Sequence, residues 1–270
     1  MLSGWALDIE RLKNLSPGTV SMKPNAAVAL ALCGCGLLAC QRKLGDSRAR
    51  SIAVMLAVAM VATIGGLTLI EYAFGTGLGI DQLLFHDHSA ARSGAAGYPG
   101  RMAVATALAL VLSAGALALI ARGRAVAQQI AAGAVLTISL SAVLGYLYGA
   151  DLTRPWGTTE ISAYTVAVLT VLGVGLLTAR SDAGLVGALF GNEPGGLMAR
   201  WLLLAALIAL PLLGLLRLAG QLAGLYSARA GVGIMVLASV MVLVVTVAIT
   251  AARVNALGRQ RSLALARIMR

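Results

Sequence analysis

The sequence predicts an all-α fold: a polytopic transmembrane helix bundle of about seven spans, built of repeated αα-hairpins. Three observations carry this. The 270 residues are 59% hydrophobic and 11% charged, with a mean hydropathy of +0.90, whereas a soluble domain is about a quarter charged. The charges gather between long uncharged stretches, as expected when lipid is the solvent for most of the chain. Those stretches are rich in Ala and Leu and lack a two-residue alternation, which favours helices over the strands of a barrel.

Seven apolar stretches can be read in order, at residues 25–40, 51–74, 102–121, 125–148, 161–179, 201–220 and 231–252. Most reach the roughly 20 residues that a bilayer core requires. The first is short unless it begins near Val20, with Lys23 snorkelling and Pro24 in the first helical turn. Pro211 is expected to kink the sixth. The bundle is read as residues 1–252, with 1–24 an extracytoplasmic N-terminal segment and 253–270 a basic cytoplasmic tail. Asp8, Glu10, Arg11 and Lys13 interrupt the N-terminal segment, which therefore lacks the apolar core of a signal peptide.

The net charge of +11 follows the loops. Arg42, Lys43, Arg48, Arg50, Arg122, Arg124, Arg180, Arg200 and the arginines from Arg253 onward fall on one side, close to helix ends. By the positive-inside bias that side is cytoplasmic, which puts the N-terminus outside and the C-terminus inside a cell inner membrane. The basic segments lack interleaved aromatics, so no nucleic-acid partner is expected; the bilayer is. Cys33, Cys35 and Cys40 lie in one apolar stretch. Residues two apart on a helix point to different sides, so they read as small apolar residues rather than a metal pair.

The chain repeats itself. Met22-Lys-Pro-Asn-Ala-Ala, Met102-Ala-Val-Ala-Thr-Ala and Ile161-Ser-Ala-Tyr-Thr-Val each open an inward-going helix. Gly66-Leu-Thr-Leu-Ile-Glu71, Gly145-Tyr-Leu-Tyr-Gly-Ala-Asp151 and Gly214-Leu-Leu-Arg-Leu-Ala-Gly-Gln221 each close a returning one. Gly4-Trp-Ala-Leu-Asp8 matches the second set, as though the outer end of a returning helix stood without its span. Four hairpin units around an axis normal to the membrane are the expectation, with the first helix missing.

Several strings carry a family resemblance: Gly4-Trp…Asp8-Ile, Pro17-Gly-Thr-Val-Ser-Met-Lys-Pro-Asn25, Leu78-Gly-Ile-Asp-Gln-Leu-Leu-Phe85, Pro99-Gly-Arg-Met102 and Leu216-Arg-Leu-Ala-Gly-Gln. The chain resembles the multi-helix membrane input modules found N-terminal to bacterial sensor histidine kinases and diguanylate cyclases. The resemblance implies a sensor that passes a signal to a cytoplasmic kinase or cyclase. It departs from the pattern in lacking a first span and in ending without an output domain. It carries over no binding residue and names no cofactor.

Candidate chemistry concentrates on the outer side. Glu71 and Asp151 sit near the outer helix ends, Asp81 lies in the outer loop, and Arg217 lies about a turn inside the sixth helix. An Arg at that depth either snorkels or pairs with a carboxylate, and an Arg–carboxylate cluster would make a polar ligand site. The residues from Tyr72 to Arg101 form the longest outer segment. In it, His86-Asp87-His88 reads either as a weak metal site or as solvated loop residues. Residues 80–86 are expected to form a short interfacial helix.

Mid-membrane positions carry no Asp, Glu, Lys, Arg or His, and no nucleophile–base pair is recognisable. An enzyme is therefore not expected. The threonines within spans read as helix–helix contacts. The functional expectation is a membrane-embedded sensory or signal-input module, with a homodimer left open. Its alternatives are a small-solute transporter or channel, or a structural subunit of a membrane complex that packs through Gly65-Gly66 and the pair Gly173 and Gly175.

Overall fold

The computed structural model describes residues 2–7, 9, 13, 20–41, 47–85, 99–150, 160–191 and 194–268, the side chains of 2, 6, 253 and 255–268 aside, and α-helices dominate among them. They are α1 (Leu2–Ala6), α2 (Pro24–Ala39), α3 (Arg48–Phe74), α4 (Val104–Ala121), α5 (Ala125–Tyr148), α6 (Ala163–Thr178), α7 (Gly184–Phe190), α8 (Pro194–Leu222) and α9 (Ala228–Ile268). Among the described residues no strand forms. Five helices are long and apolar enough to cross a membrane: α3, α4, α5, α8 and the first 25 residues of α9. The apolar helices α2 and α6 have 16 residues each, about 24 Å against a core of about 30 Å.

The chain divides into two compact units, Met1–Gly184 and Leu185–Arg270. In the first, α2, α4 and α6 touch one another and form an inner trio. The helix α3 lies on α2 and α4, while α5 lies on α4 and α6. Small residues permit this. Ala105, Ala107, Ala109, Ala114 and Ala116 of α4 are all buried, beside Leu110 and Leu117. Lipid provides no hydrophobic drive for helices to associate, so close van der Waals contact has to hold the trio. Gly65 is one such contact: a Cβ there would stand 2.9 Å from the Ala107 carbonyl oxygen.

The inner helices begin alike. Lys23, Ala103 and Ser162 precede them with extended backbone, at φ/ψ of −75/145°, −60/145° and −67/147°. Pro24 enforces this on Lys23, because a residue before proline is pushed out of the helical region. Met22, Met102 and Ile161, one residue earlier, are buried. The returning helices α3 and α5 stop at Gly75 and Gly149, both at φ +63°, a conformation that glycine adopts without strain.

The second unit is the α8–α9 hairpin. Its turn is fixed by Tyr226, whose hydroxyl donates to the Arg217 carbonyl at 2.8 Å, and by Ser227, whose Oγ accepts from the Ala230 N–H at 3.3 Å. The helix α8 starts at Pro194 rather than Trp201, and it runs through Pro211. There is no break at Ala252: α9 continues to Ile268. The tail has a single glycine and no proline, and its Ala, Leu, Arg and Gln are good helix formers.

Three expectations need correction. Of the stretch 80–86, His86 lies outside the described residues, and 80–85 hold only a single 3₁₀ turn, Ile80–Gln82, because Asp81 is drawn into a side-chain cluster instead of a helix. Thr68, Thr137, Thr170 and Thr246 do not spend their hydroxyls on neighbouring helices; each donates to the carbonyl four residues earlier in its own helix. Of the paired glycines, Gly65, Gly173 and Gly175 pack closely within the first unit, whereas Gly66 faces open space. Cys33 is buried and Cys35 exposed, so the two do point apart.

Candidate functional site

The densest polar structure lies where α3 ends and α4 begins. Arg101, 2% exposed, is its centre. Its Nε donates to Asp81 Oδ2 at 2.8 Å and stands 3.6 Å from Glu71 Oε2. One terminal nitrogen donates to the Thr76 carbonyl at 2.8 Å. The guanidinium lies 5.2 Å from the centre of the Tyr72 ring, within cation–π range. Glu71 Oε1 accepts the Leu78 N–H at 2.6 Å, and the Tyr72 hydroxyl donates to the Met102 carbonyl at 3.0 Å.

This latch is built from segments far apart in sequence. The last turn of α3 brings Glu71 and Tyr72, the following turn brings Thr76, Leu78 and Asp81, and the approach to α4 brings Arg101. Gly100 makes the closure possible. Its φ is +77°, and a Cβ there would fall 2.5 Å from the Asp81 carbonyl oxygen. Gln82 Nε2 reaches the Pro99 carbonyl at 3.4 Å. Both ends of the outer segment are thus drawn together. Two carboxylates share one guanidinium in a buried setting, where removing one partner leaves a charge uncompensated.

Arg101 also borders a second feature. A crevice opens between the starts of α2, α4 and α6, lined by Lys23, Arg101, Thr106, Glu160, Ser162 and Thr165 among others. It has room for little more than a water molecule. Ser162 and Thr165 pair their hydroxyls at 2.9 Å. Any group that entered here would meet the residue that holds the latch.

Three aromatic anchors surround this rim. Trp5 Nε1 donates to the Met22 carbonyl at 2.9 Å, Tyr72 to Met102 at 3.0 Å, and Tyr146 to Ile161 at 2.6 Å. Each takes the carbonyl two residues before an inner helix begins, a group the helix itself cannot satisfy. Lys13 Nζ lies 4.8 Å from the Trp5 ring centre, and the Phe85 ring centre stands 6.4 Å from it. The N-terminal segment is thereby tied to the segment that follows α3.

Of the candidates read from sequence, Glu71 and Asp81 come together around Arg101. Arg217 makes its contact in the second unit, donating to the Ala228 carbonyl at 3.4 Å. Asp151, His86, Asp87 and His88 lie outside the described residues. Among the described residues no group of His, Cys, Asp and Glu is placed to hold a metal.

At the opposite end of the first unit lies a pair that the sequence reading passed over. Gln128 and Gln129 are fully buried. Gln128 Nε2 donates to the Leu176 carbonyl, and Gln129 Nε2 to Arg180 and Ala183 at 3.1 and 2.9 Å. Arg180 donates in turn to Ile120 at 3.2 Å. These contacts satisfy carbonyls left over at the ends of α4 and α6. Two adjacent amides inside an apolar stretch were the signal. No protein family, curated protein or solved structure matches this chain.

Proposed function

We propose that the chain is a membrane signal-input module rather than an enzyme: its outer rim around Arg101 receives a signal, and α9 carries the response to a cytoplasmic output. The observation that carries this reading is the continuity of α9. Its 41 residues run unbroken for about 60 Å, roughly twice the bilayer core. A stiff helix that leaves the membrane without a joint is suited to passing on a rotation or a shift. The kinase or cyclase resemblance gives the class of output.

The same reading takes α2 and α6 as spans, for seven in all, with the N-terminus outside and the C-terminus in the cytoplasm. The extended residues before each lengthen a short helix by about 3.3 Å apiece. It also takes the bundle as repeated hairpins. The three aromatic donors at equivalent positions support that repeat, because Trp5 performs for α2 what Tyr72 and Tyr146 perform for α4 and α6.

Native mass spectrometry of the detergent-purified chain tests the sensor reading, with Asp81→Asn as the control. A small molecule retained by the wild type and lost from the variant supports it. Solute flux through the chain in proteoliposomes would favour the transporter class instead.

A further inference from the structure

The α8–α9 hairpin carries an apolar groove that the rim and the relay leave unused. It measures about 440 Å³, with Trp201, Leu204, Ala205 and Ile208 of α8 and Ile249 and Thr250 of α9 among its lining residues. Trp201 is 43% exposed and Ile208 64%. The Thr250 hydroxyl does not spoil the apolar lining, because it donates to the Thr246 carbonyl of its own helix at 2.7 Å.

Length and charge define the occupant. The lining runs along α8 from Trp201 to Ala209, about 12 Å of helix, close to the roughly 15 Å depth of one leaflet of the core. Trp201 marks its outer limit, at the level where indole rings meet headgroups. Residues 185–270 contain eight arginines and one acid, Glu193. Arg200 is held beside Trp201 by neutral partners, donating to the Gly191 carbonyl at 2.9 Å and the Gly196 carbonyl at 3.2 Å. A second copy of the chain is a poor occupant, since it would bring the same arginines against this rim.

We propose that the groove seats one acyl chain of an anionic phospholipid, with the phosphate at the level of Arg200. Basic residues at the membrane surface attract anionic headgroups, and the groove adds a place for one chain. This rests on the hairpin alone and stands or falls separately from the sensor reading.

The test is quenching of Trp201 by brominated lipid, with the full chain reconstituted in phosphatidylcholine vesicles. Trp5 and Trp156 also fluoresce, so the signal is the difference between wild type and Trp201→Phe. Dibrominated phosphatidylglycerol is titrated in one series and dibrominated phosphatidylcholine in the other. The expected result is saturable quenching at low mole fraction of the anionic lipid, with at least ten-fold preference over the zwitterionic one. Ala205→Phe, which fills the groove, should remove the saturable part. Identical curves for both lipids would mean ordinary surrounding lipid and would overturn the proposal. Absence of quenching by either would mean that a second copy covers the groove, and would overturn it equally.

Discussion

The two units solve the same problem in different ways. In the first, the inner helices are wrapped by others, and α4 has Leu110, Leu117, Ala107, Ala109 and Ala116 with no measurable exposure. In the second, α8 and α9 pack on each other, and Leu204, Ile208, Leu237 and Val244 stay at least half exposed. The first unit buries apolar side chains among several helices, whereas the second is a single hairpin that buries few of its own. Polar side chains follow the same division. The buried Glu71, Asp81, Arg101, Gln128 and Gln129 all belong to the first unit, where a protein interior can satisfy them.

This contrast can be broken by substitution. The largest effect is expected at the latch. Arg101→Ala leaves Glu71 and Asp81 buried without their cation, and should lower the free energy of unfolding in bicelles by about 3–5 kcal/mol. Arg101→Lys should recover only part, because an ammonium cannot serve Asp81 and Thr76 together as the guanidinium fork does.

A smaller effect comes from the glycine pair. Gly65→Ala drives a methyl against the Ala107 carbonyl and should cost about 1–3 kcal/mol, whereas Gly66→Ala meets nothing within 4 Å and should be neutral or stabilise by up to about 1 kcal/mol. Equal effects at the two positions would contradict the packing described for α3 against α4. Gln129→Ala unpairs two carbonyls and is expected to cost about 1–3 kcal/mol.

Tyr72→Phe and Tyr146→Phe each remove one hydrogen bond to an inner-helix carbonyl. Each should cost about 1 kcal/mol, and similar values at both sites would sharpen the likeness between the hairpins. The smallest effect is expected in the second unit. Leu237→Ala, at a side chain that is 69% exposed, should change stability by less than about 0.5 kcal/mol.

Much of the fold was legible. The stretch 125–148 coincides with α5 because Gly149 ends it and Arg124 precedes it, both plain in the sequence. The ends of α8 and α9 were not. Hydropathy marks where apolar residues stop, while helices continue through Arg200 and past Arg253 wherever propensity allows. At the site, Glu71 was legible as an acid near a helix end, and Asp81 as an acid of the long segment that follows it. Arg101 was not, because it sits in an outer loop rich in glycine, where an arginine reads as solvated. Its burial depends on Gly100 turning the chain back onto Asp81, a contact between residues about twenty apart that no local pattern announces. Gln128 and Gln129 were visible as amides, but their partners on the far side of α6 were not.

The relay is the central claim, and hydrogen exchange of residues 253–268 tests it most directly. The chain in nanodiscs is compared with Asp81→Asn, which weakens the latch while keeping the side-chain volume. The account predicts a change of several-fold in exchange across 253–268, far from the substitution. Identical exchange there, with opening confined to the residues around Thr76 to Arg101, would contradict it.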